Sequence, residues 1–132
     1  MNGENILDKI CHTMNDEFYF NYSTFKQFAN TTNAFDPFEV VTDHMVRTLS
    51  KLLEKRELFV FHFDVKGLSV KDVDKYYNYC VRSSIIMSEK FPDKLQQCYV
   101  YNACELFKML YSGFSLFLSK RTRDKFHFTD TK

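Results

Sequence analysis

Two hydrophobic periods alternate along this chain. Phe18-Tyr19-Phe20-Asn21-Tyr22 is a short aromatic run with strand propensity, and the polar stretch Asn30-Thr31-Thr32-Asn33 after it reads as a loop. Asp36-Pro37 then has the form of a helix N-cap followed by proline at the first helical position. Val41, Met45, Leu49 and Leu52 recur at helical spacing, and Lys51, Lys55 and Arg56 gather where cations complement a helix C-terminus. An amphipathic helix over about 37–55 is predicted.

Leu58-Phe59-Val60-Phe61-His62-Phe63-Asp64-Val65 is apolar at nearly every position, the pattern of a central strand buried on both faces. It closes at Lys66-Gly67, and Ser69 with Asp72 three residues later predicts a capping box. The helix that follows takes Val73, Tyr77, Cys80, Val81 and Ile85 as its inner stripe and ends at Phe91-Pro92. A third strand over 98–103, a helix over 106–118, a basic stretch and a last strand at Phe126-His127-Phe128 complete the pattern. The order βαβαβαβ belongs to an α/β fold with a mainly parallel sheet and right-handed crossovers. A ligand is expected near the carboxyl ends of the strands.

At 132 residues, 45% of them hydrophobic and 17% aromatic, the chain has enough apolar surface for one domain, 1–132, with a core of its own. That load, with a net charge of only +1, excludes a disordered chain. Near-neutrality also argues against a nucleic-acid partner, which would call for a basic excess. The charge is unevenly spread: from Phe107 onward six cations face two carboxylates, a balance of +4, against 12 cations and 15 carboxylates before it. Cys11, Cys80, Cys98 and Cys104 form no C-x-x-C pair and no zinc-type spacing, so they read as reduced, buried thiols and no metal site is expected. With no apolar leader at the N-terminus and no 18-residue apolar run, the expectation is a soluble, cytoplasmic protein.

Catalytic chemistry finds no foothold. Gly3, Gly67 and Gly113 are the only glycines, which excludes the P-loop and the dinucleotide fingerprint, and no nucleophile elbow occurs, so no catalytic residue is assigned and the chain is not expected to be an enzyme. His62, inside an apolar strand, reads as a hydrogen-bonded core or pocket histidine rather than a catalyst. Asp64 at the end of that strand reads as a loop cap or a ligand contact. The segment 106–118 is the most informative, because nine of its thirteen residues are large and apolar and Lys108 is its only charge. A helix apolar all round is either a core helix or one that faces something other than water. The second reading has it cover an apolar ligand pocket and touch a membrane on opening, with Lys120, Arg121 and Arg123 just beyond it; thirteen residues are too few to span a bilayer.

These pieces resemble the CRAL-TRIO lipid-binding domain, the family of the yeast secretory phosphatidylinositol/phosphatidylcholine transfer protein and of the tocopherol and retinal carriers. Phe63-Asp64-Val65-Lys66-Gly67-Leu68-Ser69 is similar to the family strand that ends in Asp-x-x-Gly-x-Ser. Phe91-Pro92-Asp93-Lys94-Leu95 is similar to Tyr-Pro-Glu-Arg-Leu, and Val100-Tyr101-Asn102-Ala103 to Ile-Ile-Asn-Ala-Pro. Leu118-Ser119-Lys120-Arg121-Thr122-Arg123-Asp124-Lys125-Phe126 resembles Leu-Ser-x-x-Thr-x-x-Lys-Ile. The four pieces, in family order and spacing, cover about 36–128.

The resemblance implies helices on one face of the sheet and, on the other, an apolar pocket closed by a mobile gate helix, here 106–118. Pocket and gate residues would be Phe61, Phe63, Tyr101, Phe107, Leu110, Tyr111, Phe114, Phe117 and Leu118. Asp93, Lys94 and Lys125 would meet a lipid headgroup, the cations by charge-assisted bonds to phosphate and the carboxylate by accepting from ring hydroxyls. Lys120, Arg121 and Arg123 would touch the membrane. The implied function is lipid binding with transfer, phosphatidylinositol being the first candidate, with transient visits to membrane surfaces and no cofactor beyond the bound phospholipid. A protein-interaction module without transfer is the alternative, as in family members found beside Rho-regulatory domains. Cys104 stands where the family favours proline, and the family's N-terminal three-helix unit and C-terminal Leu-Pro-x-x-x-Gly-Gly stretch have no counterpart here. Apolar surface uncovered by those departures makes a homodimer a further expectation.

Overall fold

Alternation of strand and helix governs the computed structural model, which describes residues 3–32 and 36–129. The predicted loop residue Asn33 and the tail charges Asp130 and Lys132 lie outside those residues. The order is α1 (Gly3–Ile10), β1 (Cys11–Met14), β2 (Glu17–Asn21), α2 (Tyr22–Thr31), α3 (Pro37–Leu52), β3 (Phe59–Asp64), α4 (Val70–Lys90), β4 (Leu95–Tyr101), α5 (Glu105–Phe114), a 3-10 turn (Ser115–Phe117), α6 (Lys120–Arg123) and β5 (Phe126–Thr129).

The strands lie side by side in chain order, β2 to β5 all parallel and β1 antiparallel at one edge. This is the expected α/β class with additions that periodicity did not predict. β1 and β2 form a hairpin whose two turn residues, Asn15 and Asp16, have φ of 55° and 62°. Both loop positions of the tightest hairpin turns take the left-handed region, which Asn and Asp tolerate best after glycine. α2 starts at the end of β2, where the Asn21 side chain accepts the Thr24 N–H at 2.9 Å and buries Tyr22 and Phe25. The aromatic run predicted as strand through Tyr22 therefore ends one residue early.

The parallel strands step in one direction across the sheet, so crossovers of a single hand put each connecting helix on the same face. The two hydrophobic clusters accordingly share Phe61, Phe63, Leu68 and Leu95 beneath the helices. α3 delivers Val41, Met45, Leu49 and Leu52, the predicted stripe, all buried. Full burial of such a side chain is worth roughly 1.5–3 kcal/mol. α4 turns two faces inward. Val73, Tyr77, Cys80 and Val81 meet the cluster around Val65, Val100 and Phe107, whereas Tyr76 and Tyr79 enter the one around Phe18, Phe25 and Leu49. Ile85, expected in the stripe, is exposed.

β3 is not buried on both faces as its apolar run predicted. Phe59, Phe61 and Phe63 point under the helices, while His62 lies on the helix-free face, where the strands contribute one ring each to a row: His12, Tyr19, His62, Tyr99, His127. Successive centroids are 5.6, 4.4, 5.7 and 5.2 Å apart with interplanar angles of 10–26°. Spacing close to the interstrand distance means that the rings stand on edge and shield each other's faces.

Candidate functional site

Between the sheet and its helices lies an apolar cavity of about 420 Å³. Its floor is built by Phe20, Phe59, Phe61, Phe63, Leu95 and Phe126, inward-facing residues of β2 to β5. Met45 of α3 and the α4 residues Tyr79, Cys80, Ser83, Ser84, Met87 and Ser88 make one wall. Phe114, Phe117, Leu118, Ser119 and Thr122 make the opposite one, and Phe91-Pro92-Asp93 forms the rim before β4. Burial pushes the Cys80 thiol up to about 12, so it stays protonated and serves as an apolar wall atom. Asp93 is the only charged residue among those lining the cavity.

The segment expected as a gate, α5 with its 3-10 turn, borders this cavity through Phe114, Phe117 and Leu118, on the helix-covered face and not on the opposite one. The one-directional strand order is the reason, since it brings the connection from β4 to β5 to the same side as that from β3 to β4. The segment carries apolar side chains on its outer face as well as its inner one. Phe107, Leu110 and Phe114 are buried, whereas Met109, Leu116 and Phe117 are 62%, 78% and 46% exposed. α5 passes at Ser115 into a single 3-10 turn that ends the helical segment before extended Leu118.

The expected pocket residues separate into three groups. Phe61, Phe63, Phe114, Phe117 and Leu118 line the cavity. Phe107 and Leu110 are buried in the neighbouring cluster, and Tyr111 packs on Phe126 and Phe128, with centroids at 5.0 and 5.1 Å, so these three fasten α5 to the sheet. Tyr101 lies on the helix-free face. Its hydroxyl meets His62 Nδ1 at 2.6 Å, and His62 Nε2 meets Glu17 Oε1 at 2.6 Å. A carboxylate can only accept, which assigns the ring proton to Nε2 and leaves Nδ1 to accept from Tyr101. His62 is thus a hydrogen-bonded histidine away from the cavity. Asp64 acts as a loop cap, its Oδ1 accepting the Lys66 N–H at 3.1 Å and the Asn102 amide at 2.9 Å.

Of the expected headgroup residues, Asp93 is at the rim with φ 57°, a left-handed conformation that an Asp tolerates. Lys94 and Lys125 do not line the cavity. The Lys94 carbonyl accepts the Phe59 N–H at 3.0 Å, and Lys125 Nζ donates to the carbonyl of Leu95, a floor residue, at 2.6 Å. Lys120, Arg121 and Arg123 form α6 beside the gate. Tyr79, Ser83 and Met87 were missed. They lie at helical spacing with Tyr76, a second stripe on α4 that was readable beside the Val73 stripe.

Among the described residues no cluster of three or more His, Cys, Asp or Glu could hold a metal ion, and no helix is long and apolar enough to cross a membrane. The profile of the CRAL/TRIO domain matches residues 11–132. No curated protein matches the chain. Among solved structures the chain is similar to Sfh5, a Sec14-like yeast protein, with a TM-score of 0.74 and 20% identity over 97% of this chain and 50% of that one. The likeness is one of fold, and the chain spans about half the length of Sfh5.

Proposed function

Because this chain belongs to the CRAL/TRIO family of lipid-binding domains, whose members are typically non-enzymatic ligand binders, we propose that it carries a phospholipid in the cavity beneath α5 and exchanges it at membranes. The observation behind this reading is the cavity itself, floored by six apolar side chains and closed by a segment with an internal break in helix type. Apolar walls replace the bilayer around acyl chains at roughly 0.8 kcal/mol per CH₂ removed from water. At about 420 Å³ the cavity matches small-molecule sites of ~300–1,000 Å³ and is at their lower end, so a two-chain lipid requires the gate to swing outward. Gate movement is then the controlled step, made in the cytoplasm against a membrane surface that the exposed Met109, Leu116 and Phe117 touch first.

Phosphatidylinositol remains the first candidate, with Asp93 offering its carboxylate at the rim and Lys125 one carbonyl away from the floor. Lys125→Ala is expected to lower transfer of phosphatidylinositol between vesicles while that of phosphatidylcholine is retained. Equal transfer of both lipids by the variant removes Lys125 from the headgroup role. The reading as a whole fails if mass spectrometry of the purified protein finds no co-purifying lipid and vesicle assays show no transfer. The cavity speaks against a pure protein-interaction module, which has no use for it. A homodimer belongs to the proposal only if sedimentation shows a mass that rises with concentration.

A further inference from the structure

All three cations of α6 are held by protein acceptors around the cavity rim. Lys120 Nζ meets Asp124 Oδ2 at 3.1 Å, one turn further on. Arg121 Nη1 lies 3.5 Å from Asp93 Oδ1. Arg123 Nη1 donates to the Leu118 carbonyl at 2.7 Å and reaches that of Ser115 at 3.5 Å. The two arginine contacts fall at mechanically sensitive places. Asp93 belongs to the loop between α4 and β4, so the Arg121 pair joins the two sides of the rim. Ser115 and Leu118 bracket the 3-10 turn that carries Phe117 into the cavity wall, so Arg123 clasps the end of the gate to α6.

We propose that Arg121 and Arg123 latch the gate shut and that an anionic bilayer surface is the partner that releases them. This deepens the lipid-carrier reading and rests on it. Both arginines are exposed, and the Arg121–Asp93 pair is of the weak, screened kind. The attraction of an arginine to an anionic leaflet is of the same order, so exchange of one for the other is balanced and reversible. Guanidinium groups also bond phosphate oxygens in pairs, which a single backbone carbonyl cannot match. Once Arg123 turns to a headgroup, the 3-10 turn loses its tie to α6 and keeps its Leu118 N–H to Ser115 bond and the bonds of Ser115 to Tyr111 and Ser112 of α5. Met109, Leu116 and Phe117 then meet the bilayer as the gate leaves. A zwitterionic bilayer supplies no net field to draw the arginines away, and the gate stays closed on it.

Cys80 reports the event through the reactivity of its own thiol. It lines the cavity behind the gate, Cys104 is exposed, and Cys11 and Cys98 are buried in the core. Treatment with N-ethylmaleimide and peptide mass spectrometry is expected to show Cys104 modified at once and Cys80 slowly. Vesicles of phosphatidylcholine should leave the Cys80 rate unchanged, and vesicles that also contain phosphatidylserine should raise it. Arg123→Gln and Asp93→Asn should each raise it roughly two- to fivefold without vesicles and shrink the response to phosphatidylserine. Equal Cys80 rates with the two vesicle types, or rates in both variants equal to that of the natural protein, overturn the latch. So does modification of Cys11 and Cys98 in step with Cys80, which is global unfolding. Because the rate follows gate opening whether or not lipid is transferred, loss of transfer with an intact Cys80 response counts against the carrier reading alone.

Discussion

Asp72 is nearly fully buried, yet its carboxyl is held below its ordinary value. Burial pulls that value upward, but the Lys26 ammonium at 2.8 Å and the Ser69 N–H at 3.0 Å outweigh it. The Ser69 bond is the return half of the predicted capping box, so one carboxylate starts α4 and fastens α2 to it. A carboxylate whose folded value is depressed stabilises the fold above its unfolded value and loses that contribution as pH falls through the folded one. Urea midpoints are therefore expected to drop as pH falls below about 4, and Asp72→Asn should flatten the drop while lowering stability at neutral pH. A second prediction concerns Glu17. Glu17→Ala leaves the Nε2–H of the largely buried His62 without its partner, at a cost of about 1–3 kcal/mol in urea unfolding; an unchanged midpoint would contradict the bond. The capping box was legible in sequence because its partners are three residues apart. The Glu17–His62–Tyr101 chain was not, since it joins three strands whose register no local pattern discloses.

α5 shows how one substitution can test the gate. A Cβ added at Gly113 would come within 2.7 Å of the Tyr77 ring on α4, closer than such atoms approach. Alanine gains about 1 kcal/mol of helix propensity over glycine, whereas overpacking costs about 1–3 kcal/mol, so Gly113→Ala is expected to destabilise by about 1 kcal/mol and to push α5 off α4. Thermal unfolding measures the first, and Cys80 labelling the second. By contrast Leu49→Ala, in the centre of the α3 stripe, should cost about 2–5 kcal/mol without moving the gate; a smaller loss would mean that the helix is less tightly packed than its burial indicates. Of the elements with a cap and a strong stripe, α4 was readable at both ends and α3 at its start, its end falling at Leu52 rather than at 55. α1, β1 and α2 were not, because eight, four and ten residues of mixed polarity are held by tertiary contacts more than by their own pattern. The apolar segment 106–118 was recognised as a helix, but its buried stripe of Phe107, Leu110 and Phe114 was hidden by exposed apolar neighbours that ordinary surface helices lack.

At the scale of the whole molecule, sequence order carried the fold class but not which face holds what. Strand run, helix, strand run predicted a parallel sheet, and the sheet is parallel except at β1. The side on which the gate lies follows from strand adjacency, a long-range fact absent from periodicity. The inner strands β2, β3 and β4, flanked on both edges, should show the slowest amide hydrogen exchange, with β1 and β5 opening first; uniform exchange across the sheet would contradict this. Strands adjacent in space are also successive in sequence, and this has a bearing on synthesis. Each new strand leaving the ribosome finds the edge it needs already built by the strand before it, so assembly can proceed from the first hairpin onward with few distant partners to await. α5, its 3-10 turn and β5 emerge after the other walls of the cavity, so the cavity gains its last wall on a frame whose floor is nearly complete.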